Sequence, residues 1–200
     1  MNICILMGSP RKNGNTRALL DPFMAECFRQ ESAVKLFWLY SLNIEPCTAC
    51  RLCQNNWAEF GCRFDDDLKD VIPHILACDL LVLATPIYSW YCTAPMKSLL
   101  DRLVYGMNKY YGEKRGPSLW KGKSVAAITT CGYETEKGAD LFNEGLKRYC
   151  KHSQLRYLGM YAERDPGYER AFMSDDKTKR ATAFAQTTLE TARRTDSLKG

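Results

Sequence analysis

The stretch Asn2-Ile3-Cys4-Ile5-Leu6-Met7, followed at once by Gly8-Ser9-Pro10-Arg11-Lys12-Asn13-Gly14-Asn15-Thr16, decides the fold. The apolar run with its Gly-Ser-Pro stop reads as a buried strand. Residues 14–30 then read as a helix, with Leu19, Leu20, Phe23, Met24 and Cys27 at helical spacing. Pro22 in its middle predicts a kink or an early break. Working outward, residues 33–39 predict a second short strand, and 43–63 a long irregular loop. The acidic Asp65-Asp66-Asp67 opens a helix to about Ala77, since carboxylates complement the free amides of a helix start. Pro73 is expected to disturb it late. Residues 79–85, Asp-Leu-Leu-Val-Leu-Ala-Thr, form the clearest central strand, apolar as a sheet covered on both faces requires. A helix over 94–105, a strand over 124–130, a helix over 139–152, a strand over 154–161 and an amphipathic helix over 174–194 follow. Strand and helix alternate, five strands in all. That order predicts an α/β fold with a parallel sheet and helices on both faces, in a single domain spanning 1–200.

Composition narrows the function. Apolar residues make up 46% and charged residues 26%, as in ordinary globular proteins. No apolar run approaches the ~20 residues of a spanning helix, and residues 1–7 carry neither a basic lead nor a small-residue cleavage site. A cytoplasmic location without membrane contact is the expectation. The net charge of +5 is too mild and scattered to argue for nucleic acid, but it suits an anionic small molecule. Only two histidines are present, His74 and His152, so the chemistry must manage largely without imidazole.

Two loops carry that chemistry. The segment Gly8 to Thr16 lies between the first strand and first helix, where open α/β sheets bind ligands. A helix start there offers amides and a positive dipole end to an anion. Ser9, Asn15 and Thr16 add short donors, and Arg11 adds a fork suited to phosphate. The loop lacks the Gly-Lys-Thr ending of a triphosphate loop and the Gly-x-Gly-x-x-Gly of a dinucleotide fold. It suits one phosphomonoester; a plain cap and turn is the alternative. Thr85-Pro86-Ile87-Tyr88-Ser89-Trp90-Tyr91 follows the central strand at the same sheet edge. Its aromatics need a cover, either a flat heteroaromatic ring met by loop amides and the Ser89 hydroxyl, or a subunit interface.

Together the loops resemble the NAD(P)H-dependent FMN reductase family. Gly8 to Thr16 is similar to its phosphate loop. Pro86-Ile87-Tyr88-x-Trp90 with Met96-Lys97 and Asp101-Arg102 resembles its second signature, and Thr129-Thr130-Cys131-Gly132 its third flavin-contacting turn. These matches cover about the first two-thirds of the chain. The resemblance implies a flavodoxin-like three-layer sandwich with strand order 2-1-3-4-5 and bound FMN. Ser9, Arg11, Asn15 and Thr16 would hold the phosphate. Pro86, Ile87, Tyr88, Ser89 and Trp90 would pass beside the isoalloxazine, and Thr130 and Gly132 would approach its other polar atoms. NAD(P)H would pass hydride to the flavin, which would reduce a small acceptor, with no catalytic side chain of its own. The family also implies a homodimer or homotetramer. Lys97, Asp101 and Arg102 read as structural, Lys97 and Asp101 pairing four residues apart.

Ten cysteines in a reducing compartment do not read as a disulfide framework. Cys4, Cys27, Cys78, Cys131 and Cys150 sit in apolar patterns and pack as small hydrophobes, while Cys92 is harder to place. Cys47-x-x-Cys50-x-x-Cys53, then eight residues to Cys62, is a compact thiolate set. Four thiolates suit a [4Fe–4S] cluster. Zinc fits less well, since zinc ribbons use two separated knuckles, and free thiols are the third possibility. The loop resembles the cysteine motif of iron–sulfur flavoproteins, with a slightly long last gap. The resemblance implies an alternative role as an iron–sulfur electron carrier.

Overall fold

The computed structural model describes residues 1–167 and 169–196. Strands β1 (Asn2–Met7), β2 (Ala33–Trp38), β3 (Leu80–Pro86), β4 (Ser124–Cys131) and β5 (Arg156–Arg164) pair in parallel as one sheet. Their order is β2-β1-β3-β4-β5, the flavodoxin-like arrangement. Helices α1 (Asn15–Arg29), α2 (Leu68–Ala77), α3 (Ala94–Met107), the short α4 (Thr135–Gly138), α5 (Asp140–His152) and α6 (Asp175–Asp196) complete it. Alternation along the strands splits the core in two. Ile3, Ile5 and Met7 meet Leu19, Leu20 and Phe23 of α1 and Ala181, Ala185 and Leu189 of α6. Cys4 and Leu6 face the other side, with Val71 and Ile75 of α2, Leu99 and Leu103 of α3, and Phe142 and Leu146 of α5. A sheet covered twice has no solvated face, so β3 and β4 are buried at every position.

Several boundaries differ from expectation for identifiable reasons. Neither proline ends its helix: α1 runs on through Pro22 and α2 through Pro73. Each costs one backbone bond, which burial of Leu19, Leu20 and Phe23, or of Val71, Ile72 and Ile75, outweighs. The last strand begins and ends later than the predicted 154–161. Gln154 has φ 57° and turns the chain, its carbonyl accepting from the Gly122 amide. The strand continues past Tyr161 through Ala162, Glu163 and Arg164, which pair with Thr129, Thr130 and Cys131. Its polar end carries no apolar alternation to announce it. The acidic triplet lies before α2 rather than in it: Asp66 accepts from the Leu68 amide, and Asp67 from Asn43.

Cys4, Cys27, Cys78, Cys131 and Cys150 are buried, as expected, and so is Cys92. Burial pushes the thiols of Cys4, Cys27, Cys92 and Cys150 up to about 12, so these are packing groups rather than nucleophiles. Lys97 pairs with Asp101 at 2.6 Å on the surface of α3.

Candidate functional site

Parallel pairing puts the ends of β1, β3 and β4 at one edge, and the strand order reverses between β1 and β3, where such sheets open a crevice. Gly8 leaves β1 there. Its amide donates to the Ala84 carbonyl at 2.7 Å, and its own carbonyl accepts from Thr93 Oγ1 at 2.7 Å. A Cβ on Gly8 would lie 3.0–3.1 Å from Thr93 Oγ1, Met96 Cβ and Thr85 Oγ1, so only glycine brings the loop this close to α3. Ser9 is buried and exchanges hydrogen bonds with the Arg11 backbone at 3.2 and 3.3 Å. The Arg11 side chain is exposed.

The start of α1 is bare. Gly14 caps it with extended backbone and no side-chain hydrogen bond, and its first turn holds no acid. The first intrahelical bond runs from the Ala18 amide to Gly14, so the amides of Asn15, Thr16 and Arg17 have no acceptor within the helix. Thr16 is buried, and its Oγ1 lies 2.8 Å from Thr130 Oγ1, tying this helix start to the end of β4 across 114 residues. Thr130 also accepts from the Ile87 amide through its carbonyl at 2.7 Å. The three loops thus converge on Thr130. Asn15 is half-buried in the first turn, and Pro86 is the last buried residue of β3.

Beyond Ile87 the chain folds into a tight turn, Tyr88 and Tyr91 exchanging backbone bonds at 2.8 and 3.0 Å. Ser89 and Trp90 take φ of 49° and 63°, values usually left to Gly or Asn in such a turn. The strain projects Trp90 outward, where its ring stacks on Tyr133 at 5.8 Å and 8°. Tyr88, Trp90 and Tyr133 are all exposed large rings. Gly132, just before Tyr133, has open space where a Cβ would stand. Sequence reading did not single out Tyr133. Tyr133 directly follows the Thr130–Gly132 turn, and that position was the available signal. Gly8 was visible as the first residue of the phosphate loop, but its close approach to α3 was not.

The cysteine loop lies elsewhere. Cys47, Cys50, Cys53 and Cys62 line one small pocket of about 20 Å³ with Arg102, Tyr105 and Gly106 of α3. Those helix residues are nine to thirteen positions beyond Thr93, about 14–20 Å along the axis. The pocket is therefore set against the far half of α3, not against the crevice. Each sulfur receives a donor: the Ala49 amide reaches Cys47 at 3.4 Å, Gln54 Nε2 reaches Cys53 at 3.5 Å, and Arg102 Nη2 reaches Cys62 at 3.3 Å. The Leu52 amide bonds Cys50 and lowers its thiol from the ordinary range, whereas burial raises that of Cys53. Ala49 and Arg51, on either side of Cys50, have φ of 51° and 60°. Among the described residues, however, no group of three or more Cys, His, Asp or Glu is drawn together as a metal site. Arg102 is structural, as read from sequence. It is buried, pairs with Asp66, and stands 5.2 Å from the Phe64 ring.

Residues 1–146 match the profile of the family described as NADPH-dependent FMN reductase. The chain belongs to that family. An iron–sulfur flavoprotein of Archaeoglobus fulgidus is 32% identical over 115 residues, 57% of this chain and 51% of that protein. The chain spans about half the length of the curated relatives it matches. Among solved structures, a flavone reductase superposes with a TM-score of 0.72 at 17% identity, covering 98% of this chain and 64% of the other. An NAD(P)H:quinone oxidoreductase from Methanothermobacter marburgensis gives 0.67 at 19%, covering 92% and 97%. At such identities these two establish the fold.

The crevice fits the FMN of the family's description. A bare, acid-free helix start beside buried hydroxyls offers amide and O–H donors to a phosphate, and no other charged group pairs with Arg11 among the described ion pairs. No helix among the described residues is long and apolar enough to cross a membrane.

Proposed function

We propose that the chain is an FMN-dependent oxidoreductase that takes hydride from NAD(P)H and delivers it to a small acceptor. Quinones, nitro- or azo-aromatics, free flavin and ferric complexes are the acceptor classes. The observation that carries this reading is the uncapped start of α1, joined through Thr16 to Thr130 at 2.8 Å. Ser9, Arg11, Asn15 and Thr16 hold the phosphate there. Pro86, Ile87, Tyr88, Ser89 and Trp90 run along the ring, and Thr130 and Gly132 approach its polar edge. Bound FMN would supply the redox chemistry. The side chains contribute orientation, holding two flat rings in near-attack geometry. The exposed Tyr88, Trp90 and Tyr133 form a surface that a second copy would cover, in a cytoplasmic homodimer or homotetramer. Titration with FMN, then anaerobic mixing with NADH or NADPH, is the test. Fast bleaching of the flavin band is expected. Protein that refuses FMN rejects the reading, and bound FMN that neither nucleotide bleaches leaves a carrier instead.

A second reading, an iron–sulfur flavoprotein with a [4Fe–4S] cluster on Cys47, Cys50, Cys53 and Cys62, is favoured by one observation. All four sulfurs share a pocket and each accepts a hydrogen bond, the surroundings that stabilise thiolate ligands. The likeness to an iron–sulfur flavoprotein of Archaeoglobus fulgidus supports it. The thiols not being drawn to one point counts against it. Iron and sulfide content of protein purified without air distinguishes the two.

A further inference from the structure

Ser89 and Trp90 both sit in the left-handed backbone region, at φ 49° and 63°, which costs free energy for any residue with a Cβ. Backbone bonds between Tyr88 and Tyr91 close the turn. Packing does not explain it, since Tyr88, Ser89 and Trp90 are all exposed. What the strain achieves is the direction of one ring. Trp90 stacks on Tyr133 with centroids 5.8 Å apart and planes within 8°. Trp90 remains 47% exposed and Tyr133 60%, so the stack shelters neither.

Tyr133 is held from behind. Its carbonyl accepts from Cys131 Sγ at 3.3 Å, and the next residue, Glu134, pairs with Arg164 at the end of β5. A Cβ on Gly138 would lie 3.2 Å from Tyr133 Cβ, so α4 backs the residue while its ring stays in solvent. The two loops need no ring contact to join them. Pro86 and Thr130 are register partners in the sheet, and the Ile87 amide already donates to the Thr130 carbonyl at 2.7 Å. A parallel aromatic pair left half in solvent where β3 and β4 end is a flat, uncharged surface beside the crevice. Charge nearby gives no hold to an anion. Arg164 is taken up by Glu134 and Arg180 by Glu163, while Glu136 and Lys137 on α4 offset one another.

We propose that Trp90 and Tyr133 form a platform that selects the electron acceptor, with Tyr133 its specificity-determining residue, and that the acceptor is a planar, uncharged aromatic of the quinone kind. Stacking recognises a flat π-face, so it holds a quinone and gives nothing to a non-planar, anionic ferric complex. For a quinone the exchange balances: NAD(P)H gives up a hydride, solvent gives a proton, and NAD(P)+ and the hydroquinone result. The inference deepens the first reading above and rests on it.

The test compares FMN-loaded wild type with Tyr133→Leu, which keeps apolar bulk without a π-face, and Tyr133→Phe, which keeps the ring. Two readouts are taken. The first is the Kd of 2-methyl-1,4-naphthoquinone by calorimetry, with no nicotinamide nucleotide present. The second is KM and kcat, at saturating nucleotide, for that quinone and for ferricyanide, a non-planar anion. Tyr133→Leu should weaken the quinone Kd about tenfold, the worth of one aromatic stack. Its kcat/KM for quinone relative to ferricyanide should fall by a similar factor, with the loss in KM, as expected for a contact that binds without taking part in the chemistry. Tyr133→Phe should match wild type in both. A leucine variant with the wild-type Kd overturns the proposal, as does one that loses both acceptors equally or a phenylalanine variant that fails to restore the ratio. A leucine variant that runs as a smaller species on size exclusion with its Kd unchanged assigns the rings to a subunit interface instead. Wild type that refuses FMN, or whose flavin neither nucleotide bleaches, defeats the first reading and this one with it. Wild type that is bleached but binds no quinone defeats this one alone.

Discussion

Replacing Arg11 by alanine separates phosphate recognition from everything else in the crevice. The Arg11 side chain is exposed and no ion pair among the described residues holds it, so its removal should change folding stability by no more than about 0.5 kcal/mol. A charge-assisted hydrogen bond to a phosphate contributes roughly 1.5–3 kcal/mol. Exposure places Arg11 at the lower end, since solvent and salt screen it. About 1.5 kcal/mol corresponds to a roughly tenfold weaker Kd. The amides of Asn15, Thr16 and Arg17 and the buried Ser9 and Thr16 hydroxyls remain, which is why binding weakens rather than vanishes. The assay is quenching of flavin fluorescence in parallel titrations with FMN and riboflavin, which lacks the phosphate. Arg11→Ala should weaken FMN about tenfold, leave riboflavin within twofold, and lose its effect as salt rises. Equal weakening of both ligands, or an unchanged FMN affinity, would refute the assignment of Arg11 to the phosphate.

Gly8→Ala forces a methyl to within 3.0–3.1 Å of three atoms of β3, α3 and the loop between them, so it should destabilise by about 1–3 kcal/mol; a urea midpoint equal to wild type would contradict that crowding. Glu26 is buried on α1, and hydrogen bonds from Arg29 and Gln30 lower its carboxyl from the ordinary 4.5 to about 2. A depressed carboxyl stabilises fully above the unfolded value and loses that as pH falls through the folded one. Wild type should therefore exceed Glu26→Gln in stability at pH 7, with the gap closing between pH 4.5 and 2, as urea unfolding across that range would reveal. Cys50→Ser should leave FMN content unchanged whether or not the loop holds a metal, because its pocket lies along the far half of α3; loss of flavin on purification would mean the loop builds the crevice.

How much of this was legible in the sequence depends on whether a signal is local. Strands β1, β3 and β4 announce themselves because burial on both faces demands unbroken apolar runs, and each ends in a polar turn that marks the sheet edge. Ser9 and Thr16 were readable as candidates for the same reason, and Thr130 through the family resemblance of its turn. Their meeting at Thr130 was not, because a contact spanning 114 residues leaves no trace in either segment alone. Lys109 shows the limit most clearly. In the Gly- and Lys-rich link after α3 it looks like any solvated lysine, and charged residues there are ordinarily exposed. It is buried because the cysteine loop, some fifty residues earlier, folds over it and presents two carbonyls. The prolines argue the same point from the other side. Pro22 and Pro73 carry a correct local penalty, yet both helices continue, since each buries an apolar face that costs more to give up than one hydrogen bond. Where local chemistry and tertiary burial conflict in this chain, burial decides the backbone. The Ser89-Trp90 turn, where an exposed backbone holds strain that burial does not explain, is therefore a place at which function should be sought first.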